Sequence, residues 1–225
     1  MRVADIRQQF IELYRLQRTH DNIEVNGTLE ILGASFTATE PSIFGQPNAD
    51  YIARELEWYR SESLYVDDIP GKTPKIWENV AARDGTILSN YGWMLFSEEN
   101  GSQYTRVLEH LEREPEGRRA VAVYTRPTVH DEWNANGRRD FICTHAVNYM
   151  IRNNYLYAVV QMRSNDVRFG YPNDLAWQQW VLDGLAEDTG TVPGDITWQA
   201  ASLHIYRRDY DLIRKHIEHH EGPSY

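Results

Sequence analysis

Ala146-Val147-Asn148-Tyr149-Met150-Ile151-Arg152-Asn153-Asn154-Tyr155-Leu156-Tyr157-Ala158-Val159-Val160-Gln161-Met162 reads as two β-forming runs around a turn. The runs 146–151 and 155–162 flank Arg152-Asn153-Asn154, and asparagine tolerates the positive φ that a tight hairpin demands. Working outward, further strands are expected at 120–124, 28–36 and 196–206. Helical spacing recurs at Val3, Ile6, Phe10, Leu13 and Leu16. It recurs again over 49–59, where Tyr51, Ile52, Leu56 and Tyr59 share a side behind Asn48 as N-cap. Pro70, Gly71 and Pro74 interrupt the chain before a short segment around Trp77. Further helices are predicted over 104–113, over 174–185 with Trp177, Val181 and Leu185 in register and an end near Gly190, and over 209–219. Helices and strands mix without strict βαβ alternation, which predicts an α+β fold with a mixed or mostly antiparallel sheet and flanking helices. No repeat, low-complexity tract or linker divides the chain, so residues 1–225 are read as a single domain.

The chain has 225 residues, with 23 Lys+Arg against 33 Asp+Glu and a formal charge of −10. That length can enclose a full hydrophobic core. A lone cysteine excludes a disulfide framework and a cysteine-based zinc cage, and it points to a reducing compartment. No apolar run approaches the roughly 18 residues of a membrane span. Charge at Arg2, Asp5 and Arg7 interrupts the opening residues, where a secretory segment is apolar. Broad nucleic-acid binding needs clustered Lys and Arg, which an acidic total opposes. The expectation is a cytoplasmic protein acting on a small molecule, with neither membrane nor nucleic acid as partner.

Gly71-Lys72-Thr73 has the end of a phosphate loop, but Val66 stands where that motif needs its first glycine and Pro74 where it needs a helix. His216 and His220 lie four apart on a helix. Without the glutamate of a zinc-protease pattern they read as a solvated face, and no metal is expected. Cys143 alone reads as a small buried hydrophobe, although its thiolate is a nucleophile wherever positive charge lowers its pKa. Its surroundings decide between the two. Gln161-Met162-Arg163-Ser164-Asn165-Asp166 is followed by Gly170-Tyr171-Pro172-Asn173-Asp174 and then by His204-Ile205-Tyr206, with Arg118-Arg119 upstream. Arg163 and Ser164 offer a guanidinium fork and a hydroxyl, a good phosphate clamp, and Arg118-Arg119 adds two charges. His204 and Tyr206 project from one face of a strand. Solvated arginines, a helix N-cap at Asp174 and core aromatics account for each feature singly, but not for their joint occurrence around one cysteine.

The combination resembles the thymidylate synthase family, whose signature sets a catalytic cysteine before Arg-Ser-x-Asp, Gly-x-Pro-x-Asn and His-x-Tyr. The resemblance runs from about Ile31 to Tyr206 and takes in Glu55 within Glu55-Leu56-Glu57-Trp58, Trp77, and Asn90-Tyr91-Gly92. It is closest to the phage-type deoxycytidylate (dCMP) hydroxymethylases, through Gly33-Ala34-Ser35-Phe36, Asp68-Ile69-Pro70-Gly71 and Tyr124-Thr125-Arg126-Pro127. The resemblance implies Cys143 as the nucleophile at pyrimidine C6, Glu55 and Tyr91 as proton carriers, and Asp174 at the base. It implies Arg163, Ser164 and Asp166 at the substrate, with Arg118 and Arg119 of the partner subunit completing the phosphate site. His204 and Tyr206 take the sugar hydroxyl. Trp77 and Glu55 face 5,10-methylenetetrahydrofolate, the one-carbon donor. A thymidylate synthase-like fold and a homodimer formed through the sheet, with shared active sites, are implied as well.

Three departures from the synthase pattern bear on the reaction. Asp174 stands where the uracil enzymes carry asparagine. An asparagine amide accepts from uracil N3–H and donates to O4, whereas cytosine inverts that edge, so the aspartate predicts cytosine. Thr144 follows the cysteine where synthases usually have histidine, and the tail Gly222-Pro223-Ser224-Tyr225 lacks apolar character. The expected reaction is hydroxymethylation of dCMP at C5, with water addition giving 5-hydroxymethyl-dCMP and tetrahydrofolate. The alternatives are the same chemistry on CMP, a dUMP methylase or hydroxymethylase, and a non-catalytic nucleotide-binding subunit of a biosynthetic complex.

Overall fold

The expected hairpin forms as β3 (Thr144–Arg152) and β4 (Tyr155–Asp166), with Asn153 and Asn154 at φ 51° and 67° in its turn. These coordinates are a computed structural model that describes residues 1–19 and 23–221. The reading of the tail at 222–225 lies outside the described residues. With β1 (Thr28–Thr37), β2 (Val121–Val123) and β5 (Val192–Tyr206), the hairpin belongs to a five-stranded sheet of order β1-β5-β4-β3-β2. β4 and β5 run parallel, and the other neighbours are antiparallel. The sheet is therefore mixed, and the parallel step needs the crossover that α7 (Gly170–Thr189) supplies.

The flanking helices are α1 (Val3–Gln17), α2 (Ala49–Arg60), α3 (Lys75–Val80), α4 (Tyr91–Phe96), α5 (Gln103–Arg113), α6 (Val129–Glu132) and α8 (Tyr210–Glu221). α1 buries Val3, Ile6 and Phe10 at the spacing read from the sequence. α7 buries Trp177, Val181 and Leu185, while Trp58 and Trp198 complete a core rich in large rings. α4 and α6 escape the sequence pattern because four to six residues are too few to establish a 3.6-residue period. α7 begins at Gly170, earlier than the expected 174. Pro172 falls within its first turn, where a missing N–H leaves no helical bond unmade. Asp174 is thus in the body of the helix and is not its cap.

One irregularity of the sheet lies beside Cys143 and Arg163. Alternating burial runs through Leu156, Ala158, Val160 and Met162 of β4, then resumes out of step at Asn165. β5 does the same between Ala200 and Leu203, β1 between Leu29 and Ala34, and β3 between Thr144 and Val147. These breaks are neighbours in register, through Met162↔Ala200, Ala34↔Ala200 and Thr144↔Met162. A one-residue slip exchanges the faces of a strand, so a crease crosses four strands. Gly33 sits in it at φ +63°, a conformation glycine adopts without a Cβ penalty.

A second close fit fixes α4. Asn90 caps it by accepting from Trp93 N at 2.9 Å, and its Nδ2 donates to the carbonyls of Trp58 (3.0 Å) and Ser63 (2.8 Å). Two residues on, a Cβ built on Gly92 stands 1.7 Å from the Tyr59 carbonyl oxygen. Tyr91 lies between these two anchors. Gly92→Ala is expected to destabilise the protein by about 3 kcal/mol, the upper end for overpacking. Urea unfolding checks it, and an unchanged midpoint contradicts the close approach.

Candidate active site

Cys143 precedes β3 by one residue, at the crease, and its carbonyl accepts from Arg163 N at 2.9 Å. The Arg163 side chain returns to the same segment. Nε donates to the Ile142 carbonyl (2.9 Å), Nη2 donates to the Phe141 carbonyl and lies 3.5 Å from Cys143 Sγ, and the guanidinium stands 4.9 Å over the Phe141 ring. Nη1 carries no hydrogen bond among the described residues, which leaves one arm of the fork for a ligand. Cys143 is partly buried as a residue. Burial pushes its thiol up to about 11, with Arg163 opposing and the carboxylates of Asp174 and Asp140 adding to the rise.

Ser164 and Asp166 follow along β4, in register with Ser202 and His204 of β5. The His204 and Tyr206 rings meet edge to face at 5.1 Å, so this half-buried row lies together beside the Arg163 end of the crease. Ser202 Oγ donates to Glu30 and approaches His204 Nδ1 at 3.4 Å. The Asp166 carboxylate is engaged locally, accepting from Phe169 N (2.9 Å) and Arg168 N (3.3 Å) in the turn that leads into α7. Arg118 and Arg119 are exposed, and Arg119 pairs with Glu114 at 3.1 Å. Because Ala120 bonds Tyr149, both arginines lie toward the far end of β3, on the order of 20 Å along the strand from Cys143. They do not meet the cysteine of their own chain.

The opposite wall comes from α2 and α4. Glu55 is buried, and its Oε1 accepts from Tyr51 OH (2.5 Å) and Trp77 Nε1 (3.2 Å). Burial raises its carboxyl to about 7, against the two hydrogen bonds. Asp174 Oδ2 accepts from Asn165 Nδ2 at 2.7 Å. Burial, reinforced by the Glu55 charge, holds Asp174 well above the ordinary carboxylate range. Tyr91 OH accepts from Thr144 Oγ1 at 2.9 Å, and burial raises it well above the usual phenol range. Thr144, which departs from the synthase pattern, therefore feeds the tyrosine hydroxyl.

Sequence reasoning passed over several members of this arrangement. Tyr51 had a signal, four residues before Glu55 on a helix. Asp140 had none. Its buried carboxylate accepts from Leu88 N (2.6 Å), Ser89 N (2.8 Å) and Ser89 Oγ (2.5 Å), tying the cysteine segment to the approach of α4 across 51 residues. A cleft of about 720 Å³ lies elsewhere, among α1, residues 40–46 and α8, with Arg7, Phe44 and His216 on its walls. The His216 and His220 rings stand 4.3 Å apart at its edge. Among the described residues no group of three His, Cys, Asp or Glu is placed to hold a metal, and no helix is long and apolar enough to cross a membrane.

Two carboxyls held above their usual range and a tyrosine beside a partly buried cysteine can add a nucleophile to an activated double bond and move protons around it. Known proteins share the framework. The chain is similar to the deoxycytidylate 5-hydroxymethyltransferases of Enterobacteria phages T4 and T2, 51% identical over 193 residues, covering 83% of this chain and 78% of theirs. It is 31% identical to the thymidylate synthase of Fusobacterium nucleatum over 73% of this chain and 59% of that one. Its fold overlays the thermostable thymidylate synthase A from Bacillus subtilis with a TM-score of 0.67 at 22% identity, covering 85% of this chain and 71% of that one. The thymidylate synthase family profile matches residues 46–224, and with that span matched the chain belongs to the thymidylate synthase family.

Proposed function

We propose that this protein hydroxymethylates C5 of dCMP, with 5,10-methylenetetrahydrofolate as the one-carbon donor. What supports the reading is that Arg163 lies against Cys143 at the crease, that the Asp174 charge acts on Cys143 and the Glu55 charge on Asp174, and that the chain is 51% identical to deoxycytidylate hydroxymethyltransferases. Cys143 Sγ attacks C6 of the cytosine, and C5 becomes an enamine-like nucleophile. Arg163 favours the thiolate, and its free arm takes the phosphate with Ser164. Asp174 meets the N3 and N4 edge, where charge develops as the sulfur adds. Tyr91 and Thr144 supply a proton relay beside it. When bound, the folate supplies a carbon at the oxidation level of formaldehyde. The half-buried Trp77 and the Glu55 oxygen that accepts no hydrogen bond among the described residues would hold its flat pterin. Glu55 takes part in removing the C5 proton and orients the water that completes the hydroxymethyl group, as the C6–S bond breaks, the C5–C6 double bond is restored and Cys143 leaves as the thiolate.

The site takes its remaining charges from a second copy of the chain. Arg118 and Arg119 cannot reach their own cysteine, and the outer face of the sheet leaves Leu32 (75%), Val123 (45%) and Val121 (36%) exposed. A homodimer through that face covers the apolar residues and brings the partner's arginines to the phosphate. Sedimentation reporting only a 26.3 kDa species contradicts it. Tritium release from C5 of dCMP, CMP and dUMP, each with methylenetetrahydrofolate, tests the reaction. Release from dCMP is expected, and none from any nucleotide leaves only a binding protein.

Glu55 gives a prediction with a defined pH window. Its folded carboxyl holds a proton up to about 7, against an ordinary value of 4.5. Between those values the folded state binds a proton that the unfolded chain has lost, so stability falls as pH rises from 4.5 to 7 and then levels. Glu55→Gln is expected to remove most of that fall, up to about 3 kcal/mol. It also slows conversion more than it weakens nucleotide binding. Urea titrations at pH 5 and 8 check the first expectation, and a parallel pH dependence in both proteins rejects it.

A further inference from the structure

Asp174 alone does not choose a base. A carboxylic acid presents one donor and one acceptor side by side, and moving its proton to the other oxygen inverts the pattern. With Oδ1 turned to N3, Oδ2 to the exocyclic group and the proton on Oδ1, it donates to cytosine N3 and accepts from the N4 amino group. With the proton on Oδ2 it accepts from uracil N3–H and donates to O4. Burial and the Glu55 charge keep a proton available to Asp174, so the ambiguity is real.

The structure contains a device that resolves it. Asn165 is 2% exposed and lies on the core side of the crease, where its Nδ2 donates to Asp174 Oδ2 at 2.7 Å. Its Oδ1 accepts from Trp198 Nε1 at 3.2 Å. An indole N–H only donates, so the Asn165 carbonyl must face it and the amide cannot reverse. Gly170 leaves room for the contact, since a Cβ there stands 3.0 Å from Asn165 Nδ2 and 3.6 Å from Asp174 Oδ2. Trp198 is fully buried and packs edge to face on Tyr171 at 5.4 Å, which fixes the donor in turn.

We propose that Asp174 presents Oδ1 to N3 and Oδ2 to the exocyclic group of the base, and that Asn165, oriented by Trp198, makes it a reader of cytosine: by donating to Oδ2 it favours that oxygen as an acceptor and the acid proton on Oδ1. Asn165 and Trp198 are positioning residues that act through Asp174. This inference rests on the dCMP reading above and adds the source of its base preference.

The test measures dCMP and dUMP affinity by calorimetry, and C5 tritium release from each, for the protein and for Asn165→Ala and Trp198→Phe. Removing the amide frees the acid to take the uracil pattern, so Asn165→Ala raises dUMP affinity and turnover while dCMP is held nearly as before. The dCMP-to-dUMP ratio is expected to fall roughly ten- to a hundred-fold, the factor for one misdirected buried hydrogen bond. Trp198→Phe frees the amide to reverse and shifts the ratio the same way, by less. A variant that loses both nucleotides equally, or keeps the ratio of the unaltered protein, overturns the assignment. If the unaltered protein does not prefer dCMP, the functional reading fails, and this inference with it. Two variants at separate positions keep the result independent of how well either one folds.

Discussion

Replacing Cys143 by alanine is expected to lower C5 tritium release from dCMP by a factor on the order of 10⁴ or more, while dCMP still binds. In the proposed reaction the sulfur is the group that bonds C6. Of the groups assigned to the phosphate and sugar (Arg163, Ser164, His204 and Tyr206), Arg163 is the one with a hydrogen bond to the sulfur. Arg163 is anchored by the carbonyls of Phe141 and Ile142 and by the Phe141 ring, and it keeps its position when its 3.5 Å neighbour is removed. Cys143→Ser retains an oxygen, but a hydroxyl ionises far less readily than a thiol, so the loss is of similar size. Calorimetry against dCMP separates binding from chemistry. Full turnover in either variant removes the nucleophile from the scheme, and loss of binding in both assigns the cysteine a structural part.

The second large effect belongs to Asp174→Asn. An amide can sit in the same hydrogen-bond pattern as the acid, with its carbonyl accepting from Asn165, but it cannot release a proton to N3 as the sulfur adds to C6. Turnover of dCMP is expected to fall about 10²-fold or more, with a smaller change in affinity. Turnover of dUMP does not fall in step, so base preference moves toward uracil. Adding Asn165→Ala to this variant removes the N–H that dictates where the new amide places its carbonyl, and the shift is then larger. Steady-state rates with both nucleotides check these outcomes. An unchanged base preference in Asp174→Asn rejects the role given to its carboxyl.

These variants act on a site whose parts were legible to different degrees. Local patterns gave the hairpin around Asn153 and Asn154, the amphipathic faces of α1 and α2, and the Asn48 cap, because each depends on residues within a turn or two of one another. Residue chemistry marked Cys143, Arg163, Glu55 and Asp174. Spacing alone could not say that Asp174 lies within a helix, nor that Arg163 spends Nε and Nη2 on backbone carbonyls. α4 and α6 were invisible for lack of length, and Asp140 for lack of any local signature.

The amino-acid order by itself determined the α+β class, the family resemblance and a first set of candidate side chains, since periodicity and residue type are properties of the chain. Only the tertiary structure decided which of those side chains meet, because a crease that exchanges the faces of four strands is set by register between distant segments. It also decided how Asp174 is held. The direction of the Asn165 amide depends on an indole 33 residues away, and a hydrogen bond of that reach leaves no trace in local spacing.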